Sequence, residues 1–228
     1  GGANVAIGFK AADAMAVGES HNIAIGSNAM ENIDEGTAGG DADHNIAIGT
    51  SALAGGDFAG NDRQFQANIA IGTNALNSTG TNASTGQIAI GKDSLTALTT
   101  GEGNTVVGYQ AMLLADGDED FNTAVGYQAL GQNNHDSGDS NTVIGYKAGY
   151  DLTSGSDCVI IGTDAEASAV DAGNEIVIGS DATGVATNSV VLGNANVTAV
   201  YMAQDGGATV TCSAIGIDMG TTLPSYPI

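Results

Sequence analysis

Three tyrosines that could bind a ligand occupy the same place in consecutive segments of the chain. Each tyrosine directly follows a glycine and precedes an amide or an amine: Tyr109 with Gln110, Tyr127 with Gln128, and Tyr146 with Lys147. Rigid aromatic rings beside amides offer a carbohydrate or protein ligand contact area at a low entropy cost. A stacking ladder that only covers one edge of the fold is the alternative. We therefore treat these tyrosines and glutamines as a candidate binding stripe.

Acidic connections are candidate calcium ligands, because Ca²⁺ prefers carboxylate and carbonyl oxygens. Asp116, Asp118 and Asp120 have the spacing with which a calcium loop begins, but the later bidentate acid is missing. Solvated acidic loops explain the pattern as well, so we predict no metal site and no cofactor.

Catalytic residues are not indicated by the sequence. The histidines His21, His44 and His135 lie in turn-like segments without metal-ligand spacing, and no serine lies in a G-x-S-x-G motif. An enzyme would need histidine, aspartate and serine brought together across subunits. We therefore predict that the protein is not an enzyme.

Charge excludes some partner classes. With 4 Lys+Arg against 26 Asp+Glu, the formal net charge is -22, which opposes binding to a nucleic-acid backbone or an anionic lipid surface. No apolar stretch approaches the roughly 18 residues of a membrane span. Cys158 and Cys212 lie in apolar runs, so we expect buried thiols rather than a disulfide.

A five-residue unit of polar, aliphatic, small, aliphatic and glycine recurs about eleven times between residues 4 and 194. NIAIG ends at Gly26, Gly49 and Gly72, and NTAVG ends at Gly126. Successive repeat glycines are 14 to 23 residues apart, which suits one coil of a β-solenoid. We expect a second short strand after each glycine, beginning at pairs such as Ala129-Leu130.

Alternation along a strand places the first and third aliphatics on one face and the central residue on the other. Both faces are apolar, so both are expected to be buried. We expect the outer pair to fill the roll. The central column is then predicted to pack against other copies of the chain, at Ala24, Ala47, Ala70, Ala89, Val106, Ala124 and Val143. The alternative is a buried column inside a wider monomeric solenoid, which coils this short make less favourable.

An asparagine column precedes the strands, and its amides can hydrogen-bond from coil to coil and pin the register. Its members are Asn4, Asn22, Asn45, Asn68, Asn104, Asn122 and Asn141. The glycine column is expected to supply positive φ or close approach at a bend.

At these residues the sequence resembles the head domains of trimeric autotransporter adhesins. NTAVGYQAL (residues 122–130) and NIAIGTNAL (residues 68–76) are similar to their repeats and to units in trimeric phage tail fibres. The resemblance implies an all-β, left-handed parallel β-roll of about eleven coils in a homotrimer. It also implies an extracellular location, on a virion tail fibre or bacterial cell surface, and attachment to a glycan or protein on a host or prey cell.

The tail, residues 195–228, departs from the repeat and predicts a strand, a turn at Gly206-Gly207 and a second strand. It resembles the segment before the intramolecular chaperone of phage fibres. We therefore expect two domains: the repeat domain 4–194 and a short C-terminal β-hairpin segment 195–228.

Longer connections provide another candidate contact surface, since insertions in solenoids usually lie on one exposed side. Arg63 and Phe65 stand out in residues 54–67, because the chain has few aromatic and basic residues. Phe65 could equally pack onto the roll.

The sequence thus predicts a trimeric adhesive fibre segment. A passive spacer without a ligand of its own is the alternative. An ice-binding solenoid would need a flat threonine array. The aligned residues Thr105, Thr123 and Thr142 occupy only three coils, on the face expected to be interior.

Overall fold

A computed structural model describes residues 2–15, 18–33, 42–55, 64–78, 84–135 and 137–200 of the chain. Within these ranges the fold is all-β and contains no helix, so none of the described residues form a helix able to cross a membrane. The chain divides into two compact units, Gly1–Asn196 and Val197–Ile228. The predicted C-terminal hairpin lies almost entirely in residues 201–228, outside the described residues.

The first unit is a parallel β-solenoid in which each repeat contributes one three-residue strand to a single sheet of eleven strands. In chain order the strands are β1 (Val5–Ile7), β2 (Ile23–Ile25), β3 (Ile46–Ile48), β4 (Phe65–Gln66), β5 (Ile69–Ile71), β6 (Ser84–Thr85), β7 (Ile88–Ile90), β8 (Thr105–Val107), β9 (Thr123–Val125), β10 (Thr142–Ile144), β11 (Val159–Ile161), β12 (Ile176–Ile178) and β13 (Val190–Leu192). β4 and β6 form a separate parallel pair in the connections.

Strand register follows the repeat without a slip. Ala47 of β3 pairs with Ala24 on one side and Ala70 on the other, and each further strand continues the same column. The solenoid has about 9 turns. This is fewer than the eleven coils expected, and at the two end strands the central residues Ala6 and Val191 are exposed and partly buried, respectively.

The two faces of the strands are the reverse of the sequence interpretation. The central side chains have an exposed fraction of 0% in the single chain, so they fill the roll: Ala24, Ala47, Ala70, Ala89, Val106, Ala124, Val143, Ile160 and Val177. The flanking aliphatics point outward; Ile48 and Ile144 remain 37% and 39% exposed. The prediction that the central column forms a contact between copies is therefore wrong. Any such contact would use the flanking residues instead.

The segment after each glycine is a turn rather than the expected second strand. Gln128 and Leu130 have φ angles of 53° and 52°, in the left-handed region, on either side of Ala129. This alternation turns both Ala129 and Leu130 into the core, whereas a strand would bury only one of two neighbours. The Leu130 N–H still donates to the Ala148 carbonyl of the next coil, at 3.0 Å.

The repeat glycine has both functions expected of it. Gly126 has a φ of 144°, which L side chains rarely adopt. A Cβ at this position would also lie 2.1 Å from the carbonyl oxygen of Gly145 in the next coil. Glycine therefore lets the backbones of successive coils stack directly at the bend.

The asparagine ladder is confirmed. Each side-chain Oδ1 accepts the backbone N–H at the same place in the next coil at 2.8 to 3.0 Å, as Asn122 does from Asn141. Each Nδ2 donates to a backbone carbonyl at 2.7 to 2.9 Å, as Asn122 does to Gly138. Because buried amides are costly unless paired, this arrangement specifies the stacking of the coils.

Two substitutions in this column have different consequences. Gln87 keeps both bonds, since it donates to the Gly101 carbonyl at 2.7 Å and accepts the Asn104 N–H at 3.1 Å. Cys158 ends the amide series; it is a buried free thiol whose Sγ lies 3.5 Å from the Ala172 oxygen. Burial raises the pKa of this thiol, which keeps it protonated and unreactive.

Candidate ligand-binding stripe

The three tyrosines form one continuous stack along the solenoid. The ring centroids of Tyr109 and Tyr127 are 5.2 Å apart with planes 15° from parallel, and those of Tyr127 and Tyr146 are 5.3 Å apart at 16°. The three tyrosine residues are 38%, 43% and 47% exposed in chain order. The bend that positions them is fixed by the repeat glycines, so the stack follows directly from the coil register.

The stacked geometry limits how a ligand can bind. Neighbouring rings lie nearly parallel, and Tyr127 has a stacked ring on both sides. A ligand would therefore contact the part of each ring that remains exposed rather than a fully open face. The stripe is a row of nearly parallel rings with one ring per coil, so a ligand lying along it would meet the same contact in each of the three coils.

Lysines lie at both ends of the stack. The Lys92 ammonium is 5.4 Å from the centroid of Tyr109, and the Lys147 ammonium is 5.8 Å from that of Tyr146 and 5.5 Å from that of Tyr150. These distances are typical of cation–π contacts. Lys92 also forms an ion pair with Asp93 at 2.9 Å. The sequence interpretation missed Lys92, although it directly follows repeat glycine Gly91, as the tyrosines follow theirs.

Glutamines form a second row beside the rings. Gln128 Nε2 donates to Gln110 Oε1 at 2.9 Å, and both residues have left-handed backbones. The structure thus brings together the five stripe residues named from the sequence: Tyr109, Tyr127, Tyr146, Gln110 and Gln128.

The other two candidate contact residues do not join the stripe. Phe65 is 1% exposed and lies in the hydrophobic core, so its prediction as a surface contact is wrong and its alternative as a packing residue holds. Its backbone carbonyl accepts the Asn45 side-chain amide at 2.8 Å. Arg63 lies outside the described residues.

The aligned threonines lie on the outward face. Thr105, Thr123 and Thr142 are the first residues of β8, β9 and β10, and all are partly exposed. Their expected interior position is therefore wrong. They belong to the same three coils as the tyrosines and replace isoleucine or valine there, which makes the outward face more polar in these coils.

The acidic connections are organised as backbone caps. An oxygen of Asp120 accepts the Glu102 N–H at 2.6 Å, and an oxygen of Asp139 accepts the Asp120 N–H at 2.8 Å. Burial raises the pKa of both aspartates. No cluster of three histidine, cysteine or acidic side chains in the described ranges is arranged to hold a metal ion.

Two histidines form a smaller stack that the sequence did not reveal. The rings of His21 and His44 are 4.8 Å apart and 3° from parallel. Ser20 Oγ lies 2.9 Å from His21 Nδ1 and donates to Asp43 at 3.1 Å. The serine therefore lies between histidine and aspartate. In a catalytic relay the histidine must lie between the other two.

Burial strongly perturbs one carboxyl group. Burial, reinforced by the charges of Asp151 and Asp164, raises the pKa of Glu166 to about 7, although the N–H groups of Tyr150 and Asp151 donate to it. This glutamate takes the place of the inward leucine of earlier coils and caps a turn. It lies away from the tyrosine stripe, so it has no part in the candidate site.

Comparison of the chain with protein-family models, curated proteins and solved structures found no match in any of the three.

Proposed function

We propose that the chain is a segment of a homotrimeric, extracellular fibre that attaches to a host or prey cell through a surface glycan or protein. The observation that carries this proposal is the exposed apolar face of the solenoid. Two columns of mainly Ile and Val remain on the outward side of all eleven strands, although the interior is already filled.

The size of this face favours association. Strands about 4.8 Å apart give eleven strands a length of about 50 Å, and three residues give a width of about 10 Å. A flat apolar area of about 500 Å² is near the upper end of what monomeric soluble proteins expose. Covering it with other copies removes it from water. Three copies, a left-handed roll and a tail-fibre or cell-surface location are what the resemblance to adhesin heads implies.

Attachment is assigned to the tyrosine stripe. It is an exposed aromatic row with amide neighbours, in a chain whose net charge of -22 disfavours nucleic acid and anionic membranes. Side-by-side rings on a rigid backbone pay little entropy on binding.

A passive spacer is the second candidate, and the ring stack itself favours it. Stacked tyrosines would stabilise the coil edge without any ligand. A spacer would associate through the outward face but would hold a separate tip at a distance.

Light scattering and surface binding test the two parts of the proposal. A solution mass three times 22.4 kDa supports the trimer, and a monomer at micromolar concentration refutes it. Binding of the labelled protein to intact cells, reduced by replacing all three tyrosines with threonine, supports attachment. A trimer that binds no cell of a broad bacterial panel supports the spacer.

A further inference from the structure

The second residue after the repeat glycine is not acidic in the tyrosine coils. It is acidic in the coil before them and in the two coils after them, at Asp93, Asp164 and Asp181. In the three tyrosine coils this position carries Gln110, Gln128 and Lys147, and in four earlier coils it carries Lys10, Asn28, Ser51 and Asn74. In a chain of net charge -22, the stripe therefore lies between acidic positions without an acid of its own at this place.

The ring spacing discriminates between polymer ligands. Contacts along the stripe repeat every 5.2 to 5.3 Å. An extended peptide rises about 3.3 Å per residue and presents same-face side chains about 6.6 Å apart. This distance differs from the spacing of the tyrosine rings, so successive side chains cannot all align with successive rings. Strand addition requires a free sheet edge, and the sheet's edge strands are β1 and β13, several coils from the tyrosines.

We propose that the stripe binds a neutral, linear polysaccharide of β-1,4-linked hexoses, extended along the solenoid axis. This inference rests on the proposed attachment function and names its ligand class. In such a chain each repeat consists of one pyranose ring and one bridging oxygen. The distance between successive sugars is therefore close to the distance between successive tyrosine rings. Each sugar then meets one tyrosine, with successive sugars turned to present opposite faces, both of which carry C–H groups.

Hydrogen-bonding capacity fits this ligand. A glutamine amide has two donor and two acceptor positions. The bond between Gln128 and Gln110 uses one donor of the first and one acceptor of the second. The other positions are available to the hydroxyls that a neutral sugar carries on every ring, and the exposed part of each tyrosine face can contact its C–H groups. Carboxylates on the ligand are not required, because Lys92 is already paired with Asp93 and the Lys147 ammonium lies over the rings of Tyr146 and Tyr150.

Calorimetry with defined oligosaccharides tests the proposal. The probes are β-1,4-linked glucose and N-acetylglucosamine oligomers of increasing length, with the full chain in its native assembly. Affinity for at least one series should rise about tenfold or more from the disaccharide to the tetrasaccharide, as three rings become engaged, and then level off. No heat of binding to any hexasaccharide, from a protein whose mass and cell attachment are normal, overturns the inference and leaves the proposed function standing.

Tyr127→Thr is the matched variant, because Thr50, Thr73 and Thr163 occupy the equivalent position in other coils. We expect it to fold and assemble normally and to weaken oligosaccharide binding about tenfold, while the control Thr163→Ala has no effect. Unchanged affinity in Tyr127→Thr overturns the inference. Preference for an acidic polysaccharide that is lost in Lys147→Gln overturns it also. A monomeric wild-type protein instead refutes the proposed function itself.

Discussion

Val143 and Gly149 face each other inside one coil, where a Cβ at Gly149 would lie 3.2 Å from Cγ1 of Val143. One coil earlier the smaller Ala124 is accompanied by the larger Leu130, and both are fully buried. In these two coils the strand and the turn thus share the interior volume. The same exchange explains the larger strand residues Ile160 and Val177, whose turns lack a leucine or methionine at this place.

This volume exchange can be tested by a double-mutant cycle at Val143 and Gly149. Val143→Ala leaves a cavity and should cost about 2 kcal/mol of unfolding free energy. Gly149→Leu alone overfills the coil and should cost about 1–3 kcal/mol. The double variant recreates the pairing of Ala124 with Leu130 and should lose at least about 1 kcal/mol less than the sum. Additive losses in denaturant titrations would contradict a shared volume.

Breaking the asparagine ladder should strongly lower the free energy of unfolding. Asn122→Ala removes the acceptor of the Asn141 N–H and the donor to the Gly138 carbonyl, leaving two buried backbone groups unpaired. We expect a loss of about 2–4 kcal/mol in unfolding free energy. Asn122→Gln is the control, since Gln87 keeps both bonds in its own coil, and should cost clearly less. Equal losses in the two variants would mean that packing, not hydrogen bonding, stabilises this column.

Association should depend on the outward face. Ile48→Glu places a charge on an exposed strand residue and should convert the assembly to monomers, because burying an unpaired carboxylate is unfavourable. Circular dichroism should remain that of the wild type. Val170→Glu adds the same charge at an exposed position away from the sheet and should leave the mass unchanged. An Ile48→Glu protein with the wild-type mass in light scattering would contradict this assignment.

Stability should rise as pH falls from about 7 toward 4.5. Because the pKa of Glu166 is raised to about 7 in the folded protein, the folded state binds a proton that the unfolded state releases over this range. The free energy of unfolding therefore decreases with rising pH and levels off above about 7. The raised pKa values of Glu119, Asp120 and Asp139 act in the same direction.

Glu166→Gln isolates this contribution, since it keeps an acceptor for the Tyr150 N–H but cannot ionise. Thermal melts of the variant between pH 4.5 and 8 should show a weaker dependence on pH than those of the wild type. Identical slopes would show that the general relief of charge repulsion, rather than this carboxyl group, is responsible.

Much of the fold could be predicted because nearly the same residues recur in each repeat. The eleven strands, their register, the ladder through Asn122 and the bend at Gly126 follow from residues that recur at fixed places. The stacking of Tyr109 on Tyr127 follows from the same register.

The inward face could not be predicted from alternation, which separates Ala47 from Ile48 but does not say which of them faces the interior. The deciding partner, Leu53, reaches the interior only through its left-handed backbone, and non-glycine residues adopt that conformation uncommonly. Lys92 was not predicted as part of the stripe because the prediction was based on tyrosine as a residue type. Lys92 shares with the tyrosines only its position directly after a repeat glycine.

The hydrogen bonds of the strands and the asparagine ladder, with many of those in the turns, join one coil to the next. A pull along the stack therefore loads these bonds lengthwise, and many of them must fail together before two adjacent coils in the middle can separate. The end strands have a neighbour on one side alone, so they would peel away first. Under tension along the stack, the edge strands of this sheet would yield before the strands in its middle.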